Sequence, residues 1–409
     1  MRKILLSLSL LLLITSCYND SRSFSEATKT AFKAAVDTSF AAATKKSGIS
    51  VAVYKDGYLA WTYAAGTSGI STTTGTASPM TTSTPTYAYS ITKTFMSALI
   101  LTQIEHRLYS LDDTVEELLR NHEDYASLDF SKINKNATVA QLLKHTSGMP
   151  DYASNVPAQL AMCNPDPAYI WKPADILNNI VNKPYGATGA YEYSNTNYVL
   201  LGMIAELYGQ AKLNTLLAST FFKKLNINAY LAPQDLIPSD IAHPFDDTAL
   251  FGAPYGFMDL IFALTVSNSP LNFYLGAGRS TWAAGGIIST AEDLAMWGYE
   301  LYDKNGSAIS PHARKTLKNS APVSGYYGYG VGYNEFTYQD GSMGRKYGHG
   351  GSAPGYKTLL KYEANQRITV AIITNANNSV SPATTDTGLG IVDREALANA
   401  IFNAYNETK

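Results

Sequence analysis

The segment Tyr89-Ser90-Ile91-Thr92-Lys93-Thr94-Phe95 opens the apolar run 95–101, and together they predict a buried helix with reactive groups at its start. Residues three positions apart lie one above the other on a helix, so Ser90 and Lys93 share a face. A lysine can take the proton of a hydroxyl group when burial or a nearby cation suppresses its own charge. The spacing therefore supplies a nucleophile and a base, although a helix start beside a solvated lysine accounts for the same residues.

The composition is that of a globular protein without a nucleic-acid-binding surface. The 409 residues are 45% hydrophobic and 16% charged, which suits a large core in one to three domains. The net charge is -2 and no basic run occurs, so nucleic acid is not expected as a partner. The six histidines include no His-Glu-x-x-His pattern, and neither a metal nor another cofactor is expected.

The N-terminal segment predicts export. An apolar run at 4–14, preceded by two basic residues, is too short to span a bilayer and is typical of a secretory signal over residues 1–16. The run ends in Ile14-Thr15-Ser16-Cys17, which resembles the bacterial lipoprotein cleavage box. That resemblance implies a lipid on Cys17, a tether over residues 17–25 and a protein anchored in the bacterial cell envelope, on its periplasmic or surface side. The alternative is an ordinary signal peptide with a chance cysteine.

A single further cysteine, Cys163, leaves the mature chain without an internal disulfide. The stability of the fold is therefore expected to come from its apolar core.

Hydrophobic periodicity predicts helices and strands in separate blocks along the chain. Two β-type runs around Asp56-Gly57 predict a hairpin over residues 49–63, and residues 66–86 are typical of a loop. An apolar run at 257–264 is consistent either with core or with the lining of a cleft. The other predicted helices are 24–46, a block starting at 95, 115–119, 139–144, 196–208, 291–301 and 391–406, and the other predicted strands are 329–338, 356–362 and 368–374.

This order predicts an α+β fold in which both ends of the chain build one antiparallel sheet flanked by helices. The sheet part is expected over about 26–88 and 285–407, with a mainly helical part inserted over about 89–284. A cleft between the two parts is the expected place for a site.

Three further segments carry polar groups at informative spacings. In Tyr193-Ser194-Asn195 a phenol and an amide can face one direction, although turn chemistry before a helix explains the segment equally well. In Tyr347-Gly348-His349-Gly350-Gly351-Ser352 the glycines permit close approach of a ligand to the backbone, with a bulge or a turn as the alternative. The segment 142–150, which contains His145-Thr146-Ser147-Gly148, is interpreted first as a helix end and a chain turn.

Taken in this order, the segments resemble the serine β-lactamase and penicillin-binding-protein-like family, in its class C, carboxypeptidase and esterase branch. The resemblance extends from the hairpin to the last helix. Four segments match the family's Ser-x-x-Lys, its Tyr-x-Asn, its Lys-Thr-Gly or His-x-Gly, and its small-residue turn, and they are Ser90 to Lys93, Tyr193 to Asn195, His349 to Gly351, and Ala284-Gly285-Gly286. The segment 142–150 is similar to the family's His-x-Ser-Gly segment. The resemblance implies a β-lactamase-like fold over residues 26–407.

The resemblance also implies a role for each matching residue. Ser90 would form an acyl-enzyme, activated by Lys93 and by Tyr193, whose phenol pKa the lysine would lower. Asn195 would position Lys93 and bind the substrate amide, while His349 would assist at the far wall of the site. Backbone N–H groups would hold the oxyanion. They would come from Ser90 and from Ser352, which follows Gly350 and Gly351.

The substrate class implied by the family is a small peptide or ester, including peptidoglycan peptides. A D-alanyl-D-alanine carboxypeptidase or related peptidase is the first expectation, with an esterase of the same fold as the second. His349 stands where a lysine would carry a permanent charge, so recognition of a substrate carboxylate is expected to be weak. The alternative from another class is a peptidoglycan-binding lipoprotein without catalysis. Such a protein would be expected to lack Ser90, Lys93 or Tyr193, and all three are present.

Overall fold

The computed structural model describes residues 23–43, 47–70, 76–154, 171–181, 183–246, 280–320, 327–353, 355–377 and 392–409. The predicted signal peptide, Cys17, Cys163 and the apolar run 257–264 lie outside these residues. The strands are β1 Gly48–Lys55, β2 Tyr58–Ile70, β3 Ala77–Pro79, β4 Thr86–Tyr87, β5 Tyr230–Leu231, β6 Phe245–Asp246, β7 Ile287–Ser289, β8 Gly332–Thr337, β9 Met343–Ala353, β10 Tyr356–Glu363, β11 Ile368–Thr374 and β12 Ala376–Asn377.

The helices follow the same chain order. They are α1 Glu26–Ala42, α2 Thr92–Glu105, α3 Val115–Leu119, α4 Val139–Leu143, α5 Pro173–Asp175, α6 Asn195–Gly209, α7 Leu213–Leu217, α8 Lys223–Leu225, α9 Ala291–Tyr302, α10 Pro311–Asn319 and α11 Arg394–Thr408. Wider π-helical turns continue α5 over Ile176–Ile180 and join α7 to α8 over Ala218–Phe222. Short 3₁₀ turns lie at Tyr89–Ile91, Tyr125–Ser127 and Tyr152–Ser154.

One antiparallel sheet contains strands from both halves of the chain. Its order is β3-β2-β1-β11-β10-β9-β8, and β1 meets β11 with Ile49 opposite Thr374. The predicted hairpin around Asp56-Gly57 is confirmed, with both residues at positive φ in the turn. The predicted α+β class with an antiparallel sheet is therefore confirmed.

Both faces of this sheet are covered by helices, because neighbouring side chains of a strand point to opposite sides. Val51 and Ile372 face a core that α1 and α11 complete. Ala52 and Ala371 face a second core that contains α2 and α9. The two helices of this second core meet at Trp297, whose ring stacks on Phe95 at 3.9 Å and whose indole N–H donates to Thr94.

Two predictions from the sequence were wrong in detail. Residues 66–86 are not loop throughout, because β2 continues to Ile70 and pairs with β3. The strand β9, which contains the segment around His349, was not among the predicted strands. No helix in the described parts of the chain is both long and apolar enough to cross a membrane.

Candidate active site

Ser90 lies in the 3₁₀ turn Tyr89–Ile91, directly before α2 begins at Thr92. The sequence predicted it in the first turn of the α-helix itself. The preceding residue, Tyr89, is buried and has φ of 46°, which is in the left-handed region that a tyrosine seldom adopts. Ala88 is held from both sides, since its N–H donates to Ile287 and its carbonyl accepts from the Thr358 hydroxyl. The serine is thus presented on a short strained turn that β7 and β10 hold in place.

Lys93 is fully buried and its ammonium group has three hydrogen-bond partners. Its Nζ lies 3.1 Å from Ser90 Oγ, 2.7 Å from Asn195 Oδ1 and 2.7 Å from the carbonyl oxygen of Ala284. Burial lowers the pKa of Lys93 to about 7, although the carboxylate of Asp151 acts in the opposite direction. A large fraction of this lysine is therefore neutral at physiological pH.

The neutral form of Lys93 has its lone pair directed at Ser90. A neutral amine keeps two N–H bonds, and both the amide oxygen of Asn195 and the carbonyl of Ala284 can only accept. Ser90 Oγ is the one of the three partners that can donate a proton. The hydrogen-bond pattern is therefore compatible with transfer of the Ser90 proton to Lys93.

Tyr193 is the second proton-carrying group beside Ser90. Its hydroxyl donates to Ser90 Oγ over 2.9 Å, and Lys93 Nζ lies 5.0 Å from the centre of its ring. Burial raises the pKa of Tyr193 well above its ordinary value, so the expected lowering by Lys93 was wrong. The loss of hydration outweighs the nearby amine, and Tyr193 stands beside Ser90 as a protonated phenol.

Asn195 is the first residue of α6 and links Lys93 to a carboxylate. Its backbone N–H donates to Asp151 Oδ1 over 3.0 Å, and its Nδ2 donates to both carboxylate oxygens of Asp151 over 3.1 Å. The opposite end of the same amide, Oδ1, accepts from Lys93. Asn195 therefore bridges Lys93 and Asp151.

The segment from His145 to Tyr152 supports the Tyr-x-Asn segment from behind. The buried His145 ring accepts the backbone N–H of Ser194 over 3.1 Å and lies 4.2 Å from the Tyr193 ring. Pro150 accepts hydroxyl donors from Ser194 and Thr196. The predicted helix end and chain turn are present here, and the same segment holds the residues on both sides of Asn195, namely Ser194 and Thr196.

His349 is nearly buried and neutral. Its Nδ1 lies 2.6 Å from the carbonyl oxygen of Gly350, which can only accept, so the proton is on Nδ1. Its Nε2 lies 2.9 Å from the hydroxyl of Tyr327 and accepts from it. Burial, together with the charge of Lys93, lowers the pKa of His349 to about 3. The far wall of the site therefore carries no charge from this residue across the neutral pH range.

The end of β9 lies directly against the turn that carries Ser90. A Cβ added at Gly351 would meet the Ala88 carbonyl oxygen at 2.2 Å, so only glycine fits. β8 pairs with β9 no further than Gly348, and within the described residues the stretch 349–353 has β10 as its strand partner on one side only. Ser352, in the same stretch, is exposed.

The structure brings most of the predicted residues into one place, while their chemical roles remain predictions. Ser90, Lys93, Tyr193 and Asn195 form one hydrogen-bonded cluster, and the His349 ring lies 6.4 Å from that of Tyr193. Gly350, Gly351 and Ser352 follow His349 along the adjoining strand.

Sequence reasoning missed Asp151 and Tyr327. Asp151 directly follows the segment 142–150, and its position next to that segment is the sequence signal that could have indicated it. Tyr327 is one of 29 tyrosines and carried none. Among the residues that the structure describes, no cluster of three or more His, Cys, Asp or Glu side chains could hold a metal ion.

Comparison with known proteins places this arrangement in a family. A family model described as Beta-lactamase matches residues 33–392. A D-aminopeptidase of Brucella suis biovar 1 (strain 1330) is 24% identical over 253 residues, which are 60% of this chain and 43% of the relative. Penicillin-binding protein 4* of Bacillus subtilis (strain 168) is 26% identical over 251 residues, which are 58% and 51% of the two chains. The chain thus spans about half the length of these relatives.

Solved structures show the same fold over almost the whole chain. D-amino acid amidase from Ochrobactrum anthropi SV3, complexed with D-phenylalanine, superposes with a TM-score of 0.71 at 18% identity, covering 93% of this chain and 99% of that one. A D-stereospecific amidohydrolase from Streptomyces sp. gives 0.66 at 22% identity, covering 92% and 98%. The match of the family model across most of the sequence, on a fold shared with these enzymes, shows that the chain belongs to the Beta-lactamase family of serine hydrolases.

Proposed function

We propose that the protein hydrolyses amide or ester bonds through an acyl-enzyme on Ser90, with D-amino acid derivatives as its acyl donors. The observation that carries this proposal is the buried Lys93, whose pKa of about 7 and hydrogen bond to Ser90 make it a base at neutral pH. A lysine with a purely structural role gains nothing from such burial, which costs free energy.

In the proposed reaction the Ser90 oxygen attacks the substrate carbonyl carbon while its proton passes to Lys93. The negative charge on the carbonyl oxygen is held by the backbone N–H groups of Ser90 and Ser352. The bond to the leaving amine or alcohol then breaks, and the leaving group takes the hydroxyl proton of Tyr193. Lys93 gives its extra proton to Tyr193 and becomes neutral again. In the second half of the reaction, water attacks the ester carbonyl carbon while one of its protons passes to Lys93. The bond between that carbon and the Ser90 oxygen then breaks, Ser90 takes the proton back from Lys93, and the acid is released.

The neutral His349 favours substrates that need no cation at the far wall. A carboxylate placed there meets an imidazole that stays uncharged above a pH of about 3. Amides and esters of D-amino acids avoid this mismatch, and the names of the relatives, D-aminopeptidase and D-amino acid amidase, point to the same class. A D-alanyl-D-alanine carboxypeptidase activity is thus a weaker candidate than an amidase or an aminopeptidase.

A substrate panel and covalent labelling test this proposal together. The purified mature protein and Ser90→Ala are incubated with a fluorophosphonate probe and with fluorescent penicillin, and adducts are measured by intact mass. Hydrolysis of D-alanine amide, D-phenylalanine amide, their L-forms, an acyl ester and a D-Ala-D-Ala peptide is followed in parallel. The expected result is Ser90-dependent labelling by the fluorophosphonate and faster turnover of the D-amides than of the L-amides.

The absence of every Ser90-dependent adduct and of all turnover would instead support a binding protein without catalysis. Turnover of the acyl ester alone would assign the same site to an esterase.

We also propose that the protein is an exported lipoprotein. The proposal rests on the apolar run at 4–14 and the cleavage-box match at Cys17, which imply a lipid anchor in the cell envelope.

A further inference from the structure

We propose that Asp151 is a positioning residue for the reaction at Ser90: its carboxylate holds the Asn195 side chain with the amide oxygen directed at Lys93. This inference rests on the proposed function and adds a residue that the motifs do not contain. Asp151 reaches the cluster through Asn195, where it accepts from the backbone N–H and from the side-chain Nδ2.

The need for such a residue follows from the symmetry of an amide group. The oxygen and nitrogen ends of Asn195 have nearly the same shape, and rotation by half a turn exchanges a hydrogen-bond acceptor for a donor. In the orientation present, Oδ1 accepts from Lys93 over 2.7 Å. In the exchanged orientation, the NH₂ end would donate to the lone pair of neutral Lys93. That lone pair would then be engaged and could not take the Ser90 proton.

A carboxylate removes this ambiguity because it can only accept. Both oxygens of Asp151 lie 3.1 Å from Nδ2 of Asn195, so the exchanged orientation would place an oxygen against an oxygen. Asp151 is itself held, since its Oδ1 accepts the backbone N–H of Ala153 over 3.0 Å and the adjacent Pro150 is bonded to Ser194 and Thr196. The orientation of Asn195 is therefore set from outside the catalytic cluster.

Asp151 also contributes charge to the site. Among the residues that the structure describes, the titratable groups that interact with Lys93 or lie over it are Asp151, Tyr193, Tyr198, His145 and His349. Burial keeps both histidines neutral and raises the pKa of both tyrosines, while the carboxylate of Asp151 raises the pKa of Lys93. Burial raises the pKa of Asp151 as well, while the N–H donors of Ala153 and Asn195 and the charge of Lys93 favour its ionised form.

The test exchanges the two side chains. Asp151→Asn removes the negative charge and one of the two acceptor oxygens while keeping the shape of the side chain. In the double variant D151N/N195D, the amide at position 151 donates to the carboxylate at position 195, which now carries the charge. Asp37→Asn is the matched control, because it removes a partly exposed carboxylate that is hydrogen-bonded to Lys33 and Tyr63. Lys93 is titrated in each protein by NMR of lysine labelled with ¹³C at Cε, with its signal assigned by Lys93→Met.

Asp151→Asn is expected to lower the titration midpoint of Lys93 by about one pH unit and to reduce kcat/KM at least tenfold, even above that midpoint. The double variant should regain at least tenfold over Asp151→Asn and return the midpoint to the wild-type value or higher. Asp37→Asn should match the wild type in both measurements.

An unchanged Lys93 midpoint with an unchanged rate in Asp151→Asn would overturn the inference. A correctly folded double variant no more active than Asp151→Asn would do the same. The titration decides the matter independently of turnover, so a protein inactive on every substrate would contradict the proposed function and leave the role of Asp151 to the NMR result.

Discussion

At the residue scale, Lys93 has a pKa near the pH at which most lysines are fully charged. Lys93 is neutral in part because burial opposes its charge, and its two purely accepting partners orient the lone pair toward Ser90. A base must be deprotonated to act, so activity is expected to rise as the pH rises through the pKa of this group.

The pH profile of kcat/KM is therefore expected to have its acidic limb near pH 7. Lys93→Arg keeps the positive charge, stays protonated at all accessible pH values, and should lose activity by roughly 10³-fold or more. The measurement is the rate on a D-amino acid amide from pH 5 to 9 for both proteins. A normal rate in the arginine variant would show that Lys93 is not the base.

The charge of residue 349 should decide the preference between substrates with and without a carboxylate. His349→Lys introduces a group that can be positive at neutral pH, and a charged hydrogen bond to a carboxylate contributes about 1.5–3 kcal/mol. We expect the ratio of kcat/KM for a D-Ala-D-Ala peptide to that for the matching amide to rise roughly tenfold or more. His349→Gln, which adds no charge, is the control and should leave that ratio within about threefold of the wild type.

The neutral state of His349 could be expected from the sequence only in part. An isolated imidazole is mostly neutral near pH 7, but the burial that lowers its pKa to about 3 depends on packing. The error over Tyr193 has the same origin, because the sequence shows the nearby lysine but does not show how deeply the phenol is buried. Asp151 meets Asn195 only in the folded chain, 44 positions away.

At the scale of the elements, β9 is the long strand that hydrophobic periodicity did not predict. It contains Gly344, Gly348, Gly350 and Gly351, and glycine has a low intrinsic preference for strands. Its place in the sheet comes from β8 and β10, which supply its backbone partners. The hairpin of β1 and β2 was predictable because its turn and its alternating pattern are both local.

Gly351→Ala tests how closely β9 must approach the Ser90 turn. The added methyl group would lie 2.2 Å from the carbonyl oxygen of Ala88 and from the hydroxyl of Thr358, so strand and turn must separate. We expect a loss of about 1–3 kcal/mol in the free energy of unfolding and at least a tenfold loss of activity.

Gly350→Ala is the matched control for stability, since its nearest neighbour would be 3.7 Å from the new carbon. Denaturant titration should show it close to the wild type. Equal stability of the two variants would mean that β9 and the turn are not in firm contact.

At the scale of the whole molecule, the sequence predicts export and a lipid anchor. The segment on which both predictions rest lies outside the described residues. Cys17→Ser should remove the lipid and move the protein from the membrane fraction to the soluble fraction after cell lysis, with its specific activity unchanged. Fractionation followed by immunoblotting measures this. Continued membrane association of the serine variant would contradict the lipoprotein proposal.

The pairing of β1 with β11 has a consequence for the order in which the protein folds. The hairpin of β1 and β2 is synthesised long before its neighbour in the sheet, β11. Contacts between such distant segments carry a large loop-closure cost and form slowly. The strand that carries His349 is joined to β1 through β10 and β11, so the site beside Ser90 is expected to be complete only after this slow closure.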